Sequence, residues 1–75
     1  MTEATDWQEE VKAILKAEIA RRRLRYRDVV ARLNAMGVHE SEANFRNKVS
    51  RGSFTAAYFL QCLVAIGCVE IRLRP

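Results

Sequence analysis

Apolar residues recur along most of this 75-residue chain at helical spacing. Trp7, Val11, Ile14, Leu15 and Ile19 share one face, and Asp6 stands ahead of them as a helix cap. The Asp6 carboxylate can accept from the amide of Glu9, and Glu9 can reach back, as in a capping box. Acids fill the first turn, and Arg21, Arg22 and Arg23 fill the last, which suits the helix dipole. Glu18 falls inside the apolar stripe. A carboxylate buried alone costs several kcal/mol, so Glu18 is expected to pair with Arg22, one turn on, or with Arg46.

A second helix is predicted over residues 26–36, with Tyr26, Val29, Val30 and Leu33 inward and Gly37 as its stop. Residues 38–40 form a connection. Ser41 caps a third helix whose core pair is Phe45 and Val49, and Gly52 ends it. Thr55 caps a fourth. Phe54 and Phe59 fit a hydrophobic staple around that cap. Phe59, Leu60, Leu63 and Val64 are read as its inner face, and Gly67 ends it with Leu63 and Cys68 in a Schellman arrangement. The expected core is Trp7, Val11, Ile14, Leu15, Val29, Val30, Leu33, Phe45, Val49, Phe59, Leu60 and Leu63.

The period then changes. Val69, Ile71 and Leu73 alternate with Glu70, Arg72 and Arg74, which predicts a half-buried strand. The chain offers no second strand pattern, so this one needs another chain to pair with. The same segment of a second copy, antiparallel about Ile71, would set Val69 against Leu73 and Glu70 against Arg72. The expected class is therefore all-α: a four-helix bundle with a short C-terminal β-strand paired across a homodimer. Residues 1–5 are read as a disordered tail, 6–67 as the helical domain, and 68–75 as the dimerising strand.

Composition narrows the function. One small domain is all that 75 residues hold, and such a domain buries only about 60% of its unfolded surface. A hydrophobic fraction of 49% with three Gly and one Pro excludes disorder. No stretch approaches about 18 consecutive apolar residues, so no membrane span is expected. Cys62, Cys68 and the single His39 do not make a zinc set, and the two thiols suit a reducing cytoplasm. With one histidine, no glycine-rich phosphate loop and no paired acids, the chain lacks the parts of an enzyme. No cofactor, metal or small-molecule ligand is implied.

Charge is divided unevenly. Residues 1–20 carry a net −3 and residues 21–75 a net +7, within a total of +4. A basic domain suggests a polyanion. Residues 21–27 hold five arginines in seven, more than a helix end requires. With Phe45 and Val49 inward, the third helix turns Ala43, Asn44, Asn47, Ser50 and Arg51 outward, with Arg46 and Lys48 on its flanks. Asparagine can bond adenine bidentately, and arginine can do so with guanine. This face is read as the set of base contacts on double-stranded DNA. Arg22, Arg25, Tyr26, Arg27, Arg46 and Lys48 are read as its phosphate contacts. No RNP, KH or double-stranded-RNA signature is present.

The runs Tyr26-Arg27-Asp28-Val29-Val30-Ala31-Arg32-Leu33, Gly37-Val38 and Asn47-Lys48-Val49-Ser50-Arg51-Gly52, with the apolar fourth helix, resemble lambda-repressor-like helix-turn-helix domains. Over about residues 6–73 the chain is also similar to a family of short bacterial proteins of unknown function. The resemblance implies a recognition helix at about 41–51, and it puts Tyr26, Arg27 and Lys48 on phosphates. Gly37 arrives later than in those domains, and Val30 and Arg25 replace a small residue and a capping hydroxyl. The function expected is a small dimeric transcriptional regulator. The alternative is a protein-interaction or assembly module that keeps the fold without binding DNA.

Overall fold

A computed structural model describes residues 6–73, so the expected tail at 1–5 lies outside the described residues. The chain forms α1 (Trp7–Arg21), α2 (Tyr26–Ala35), α3 (Glu42–Arg51) and α4 (Ala56–Ala65). The class is all-α.

Local chemistry accounts for the helix starts. The Asp6 carboxylate accepts from the amides of Gln8 and Glu9, at 3.1 and 3.2 Å. Glu9 does not complete the capping box; it turns to Lys12 Nζ at 3.3 Å. Ser41 Oγ accepts from the Asn44 amide and Thr55 Oγ1 from the Tyr58 amide. At α2 the cap is Arg25, whose side chain has no acceptor, and Asp28 supplies the missing bond by accepting from the Arg25 amide at 2.8 Å. Phe54 and Phe59 form the staple at α4, their ring centroids 6.0 Å apart.

The helices enclose one core of Leu15, Ile19, Val29, Leu33, Phe45, Val49, Tyr58, Cys62, Leu63, Ile66 and Cys68. Four expected members, Trp7, Val11, Ile14 and Leu60, are neither part of it nor packed against it, and Val30 and Phe59 pack against it only partly buried. Trp7 is 71% exposed. Trp7 is the first residue of α1, and it is its neighbour Gln8 that presses on Gly52 at the end of α3. Leu60 is 60% exposed, because α4 is rotated from the expected face. This helix is apolar nearly all round, so its pattern does not fix its phase. The Tyr58 hydroxyl does: it turns inward to donate to Glu40 and brings Cys62 and Ile66 with it. Val64 is left outside with Leu60.

α1 lies on α3 at Gly52. The glycine has φ +69°, and a Cβ there would sit 2.5 Å from the Gln8 carbonyl oxygen. Lys12 Nζ donates to the Ser50 carbonyl at 3.1 Å and ties the same crossing. Glycine is required at this crossing both for its conformation and for its lack of a side chain.

The C-terminal strand is not formed. Among the described residues there is no strand, and residues 68–73 run as irregular chain. Cys68 is buried and Ile71 half-buried, three apart, whereas Val69 and Leu73 are 94% and 73% exposed. That spacing is not the period of two a strand would show. The Schellman turn at Gly67 sets the register: the Cys68 amide donates to the Leu63 carbonyl at 2.9 Å and seats the side chain in the core. The strand-paired dimer through Val69, Glu70, Ile71, Arg72 and Leu73 falls with the strand. Residue 74, the last cation of that pattern, lies outside the described residues.

Candidate nucleic-acid interface

The outer face of α3 is open. Ala43, Asn44, Asn47, Ser50 and Arg51 are all exposed. Phe45 and Val49, on the opposite side, are buried to 0% and 1% exposure and fix which way the helix faces. Among the described residues, the side chains of Asn44, Asn47 and Arg51 make no hydrogen bond or ion pair, so their donors and acceptors remain free for a ligand.

The start of α2 lies against the flank of α3. The Tyr26 ring meets Phe45 edge-on, centroids 5.1 Å apart, and the Arg46 guanidinium carbon sits 5.7 Å from the Tyr26 centroid. Arg46 is also held by Glu42 at 2.9 Å. This contact sets Tyr26 beside Arg46 on the flank of α3, with Arg25 and Arg27 its neighbours in sequence. Arg25 pairs with Asp28 at 3.2 Å; Arg27 is exposed and, among the described residues, makes no ion pair. The Arg25 amide and then its guanidinium hold the Asp28 carboxyl below the usual carboxylate range.

Besides Arg25 and Arg46, two more predicted phosphate contacts are ion-paired, and these two to carboxylates only 11% and 1% exposed. Arg22 donates to Glu18 Oε1 at 2.6 Å and to the Glu18 carbonyl at 3.0 Å, and Arg21 takes the other carboxylate oxygen at 2.6 Å. The expected partner Arg22 is thus confirmed for Glu18, and Arg46 is not one. The two guanidinium groups, Arg22 foremost, hold the Glu18 carboxyl below its ordinary value. Lys48 donates to Glu40 at 2.9 Å and lies over the Tyr58 ring, 4.4 Å from its centroid.

Glu40 is the centre that the sequence reading missed. Its side chain is 1% exposed, and it accepts from Lys48, the Tyr58 hydroxyl and the Ser41 amide. Burial pushes this carboxyl up, but the bonds from Tyr58 and Lys48 outweigh it and leave it below the ordinary value. Burial, with the bond to Glu40, pushes the Tyr58 hydroxyl far up. Burial also pushes the Cys62 thiol up to about 11. Asn34 completes the clamp: its Nδ2 donates to the Val30 and Glu40 carbonyls, and its Oδ1 accepts from the Glu40 amide. The one available signal was Tyr58 itself, since a tyrosine on a helix otherwise apolar needs a partner for its hydroxyl.

Residues 7–71 match a family described as a domain of unknown function, DUF6471. The chain belongs to the DUF6471 family. The matched span takes in all four helices and the buried Cys68, so the polar face of α3, the α2 start beside it and the Glu40 cluster all lie within the DUF6471 domain. No curated protein and no solved structure matches the chain. In this DUF6471 domain no described helix is long and apolar enough to cross a membrane. Among the described residues, no group of His, Cys, Asp or Glu is gathered to hold a metal ion.

Proposed function

We propose that this DUF6471 domain binds double-stranded DNA as a small transcriptional regulator of the lambda-repressor-like helix-turn-helix kind, with α3 in the major groove. The observation that carries the reading is the Arg46–Tyr26 contact, which joins the arginine-rich start of α2 to the flank of α3, whose outer face carries hydrogen-bonding side chains unpaired among the described residues. Asn44, Asn47 and Arg51 have the chemistry to read base edges, while Arg25, Tyr26, Arg27 and Arg46 have that of phosphate contacts. The resemblance to the repressor domains supports the same assignment. Arg22 and Lys48 are held by Glu18 and Glu40, and in this reading they position the interface rather than touch DNA.

A mobility shift on genomic DNA fragments at two salt concentrations tests it. The three cations among those contacts, Arg25, Arg27 and Arg46, would give a log–log salt slope of about −3. Asn44→Ala or Asn47→Ala would cost about 1–3 kcal/mol at one base position. No binding to duplex DNA at low salt would favour the second reading, a protein-interaction module. The exposed Leu60 and Val64 supply the observation behind that reading.

A further inference from the structure

Residues 52–69 contain no charged side chain, in a chain of net charge +4 in which 29% of residues are charged. α4 occupies the middle of this run. Its inner side delivers Tyr58, Cys62 and Leu63 to the core. Its outer side lacks the polar character of a solvated helix face. Leu60 and Val64, one turn apart, are 60% and 64% exposed, beside exposed Ala56, Ala57 and Gln61. Within the chain α4 packs on α1 and α2, and Leu60 and Val64 point away from that packing. We infer that it is the contact surface of a homodimer, in which α4 of one copy packs on α4 of a second copy about a two-fold axis.

Charge selects a second copy as the occupant. Two molecules of net +4 repel, and they approach most easily on a face that carries no charge. The other three helices all expose cations, among them Lys16 and Arg21 on α1, Arg27 and Arg32 on α2, and Arg46 and Arg51 on α3. A partner of opposite charge would be drawn to those faces rather than to α4, whose own side chains carry no charge and which Arg32 of α2 meets only at its C-terminal end, donating to the Ala65 carbonyl at 3.4 Å.

The pattern on the face suits self-pairing. Ala57, Leu60, Gln61 and Val64 stand at i, i+3, i+4 and i+7, the spacing of a helix–helix seam. An antiparallel pair centred between Leu60 and Gln61 sets Ala57 of each copy against the larger Val64 of the other. The two Leu60 side chains then meet beside the axis. Such a contact is self-complementary, as two-fold symmetry demands. It uses helix packing and needs nothing from the C-terminal segment. α3 packs chiefly on α1 and α2, so its polar face stays open in this dimer. The inference holds whether or not the domain binds DNA.

Sedimentation equilibrium of the full chain tests it. The wild type is expected to be dimeric at about 100 µM. Its association should survive between about 0.1 and 1 M salt, because no ion pair holds it. Leu60→Glu and Leu60→Lys each place like charges beside the axis and should weaken the dimer at least about 100-fold. Mixing the two should restore association. Both substitutions lie at an exposed position, and circular dichroism checks that the helices remain. Gln61→Cys gives a second measurement that needs no charge: its sulfurs face each other across the axis and should cross-link on mild oxidation. A monomeric wild type would overturn the inference. So would charged variants that dimerise undiminished, a mixture that stays monomeric, or a Gln61→Cys chain that does not cross-link.

Discussion

The ends of α1 and α2 share one backbone device and are fastened by different chemistry. Each closes in a Schellman turn. Leu24 and Arg23 donate to the Ile19 and Ala20 carbonyls at the first, and Val38 and Gly37 to those of Leu33 and Asn34 at the second. At α1 the fastening is ionic: Glu18 takes Arg21 and Arg22, both within the same turn of chain. At α2 it is a clamp of distant parts. Asn34 holds the connection by its backbone, and Glu40 joins that connection to Lys48 of α3 and Tyr58 of α4. The first end consumes cations that the sequence offers to DNA. The second decides how α3 sits against α2 and α4. A count of arginines therefore overstates the binding surface, while one glutamate governs its geometry.

The largest effect should come from the second end. Glu40→Ala leaves the buried Tyr58 hydroxyl and the half-exposed Lys48 without their partner. We expect a loss of about 2–3 kcal/mol in urea unfolding, near the lower bound for breaking a buried pair because Lys48 can reach water. Tyr58→Phe removes one bond and should cost about 1 kcal/mol. Equal stability of Glu40→Ala and wild type would mean that the clamp does not hold the connection.

Acid should act on both ends. Glu18, Asp28 and Glu40 all have carboxyls held below their ordinary values in the fold. Their stabilisation is then present above the unfolded carboxylate values of about 4 and is lost as pH falls through the lower folded ones. Stability measured against pH should drop below about pH 4. Glu18→Gln and Glu40→Gln should each flatten that drop by removing one titrating group. A drop of unchanged depth in both variants would assign acid sensitivity to other groups.

The contrast between the two ends also explains what could be read from the chain alone. The helices, their caps at Asp6, Ser41 and Thr55, and the pairing of Glu18 with Arg22 are local, within a turn or so, and periodicity and spacing carry them. The Glu40 cluster joins residues eight and eighteen positions apart, across elements whose packing no local pattern states. The phase of α4 was lost for the same reason. Leu60 and Val64 are as apolar as Cys62 and Ile66, and only the Tyr58–Glu40 bond tells the two faces apart. The strand at the C-terminus was an alternation of side chains without a backbone partner. Once Cys68 anchors the segment, the alternation has nothing to pair with. For the interface, the outward face of α3 was legible because Phe45 and Val49 fix it. That Arg22 and Lys48 are occupied was not, because occupancy depends on where the acids come to lie.

The two arginines on either side of the α1–α2 turn turn this into a binding test. Arg27→Ala should lower the salt slope of DNA binding by about one and leave the melting temperature unchanged, since Arg27 makes no ion pair among the described residues. Arg22→Ala should do the reverse, lowering the melting temperature while the slope stays. Equal loss of slope in both would return Arg22 to the phosphate contacts.

The smallest expected effect isolates the backbone at the first end. Arg23 has φ +57°, the only positive φ at a residue other than glycine among those described, at the position Gly37 occupies with φ +88° after α2. The left-handed conformation costs a side-chain-bearing residue about 1–2 kcal/mol, and glycine avoids that cost. Glycine also loses more freedom on folding, which returns part of the gain. Arg23→Gly should therefore stabilise the domain by about 0.5–1 kcal/mol, or roughly 2–8 °C in melting temperature. Arg23→Ala separates the two contributions: it removes the charge, keeps the strain, and should leave stability near wild type. If Arg23→Gly also weakens DNA binding and Arg23→Ala does so equally, the arginine is kept at a strained position for its charge. If neither changes binding, the strained residue serves only to turn the chain from α1 into α2, and the cationic surface begins at Arg25.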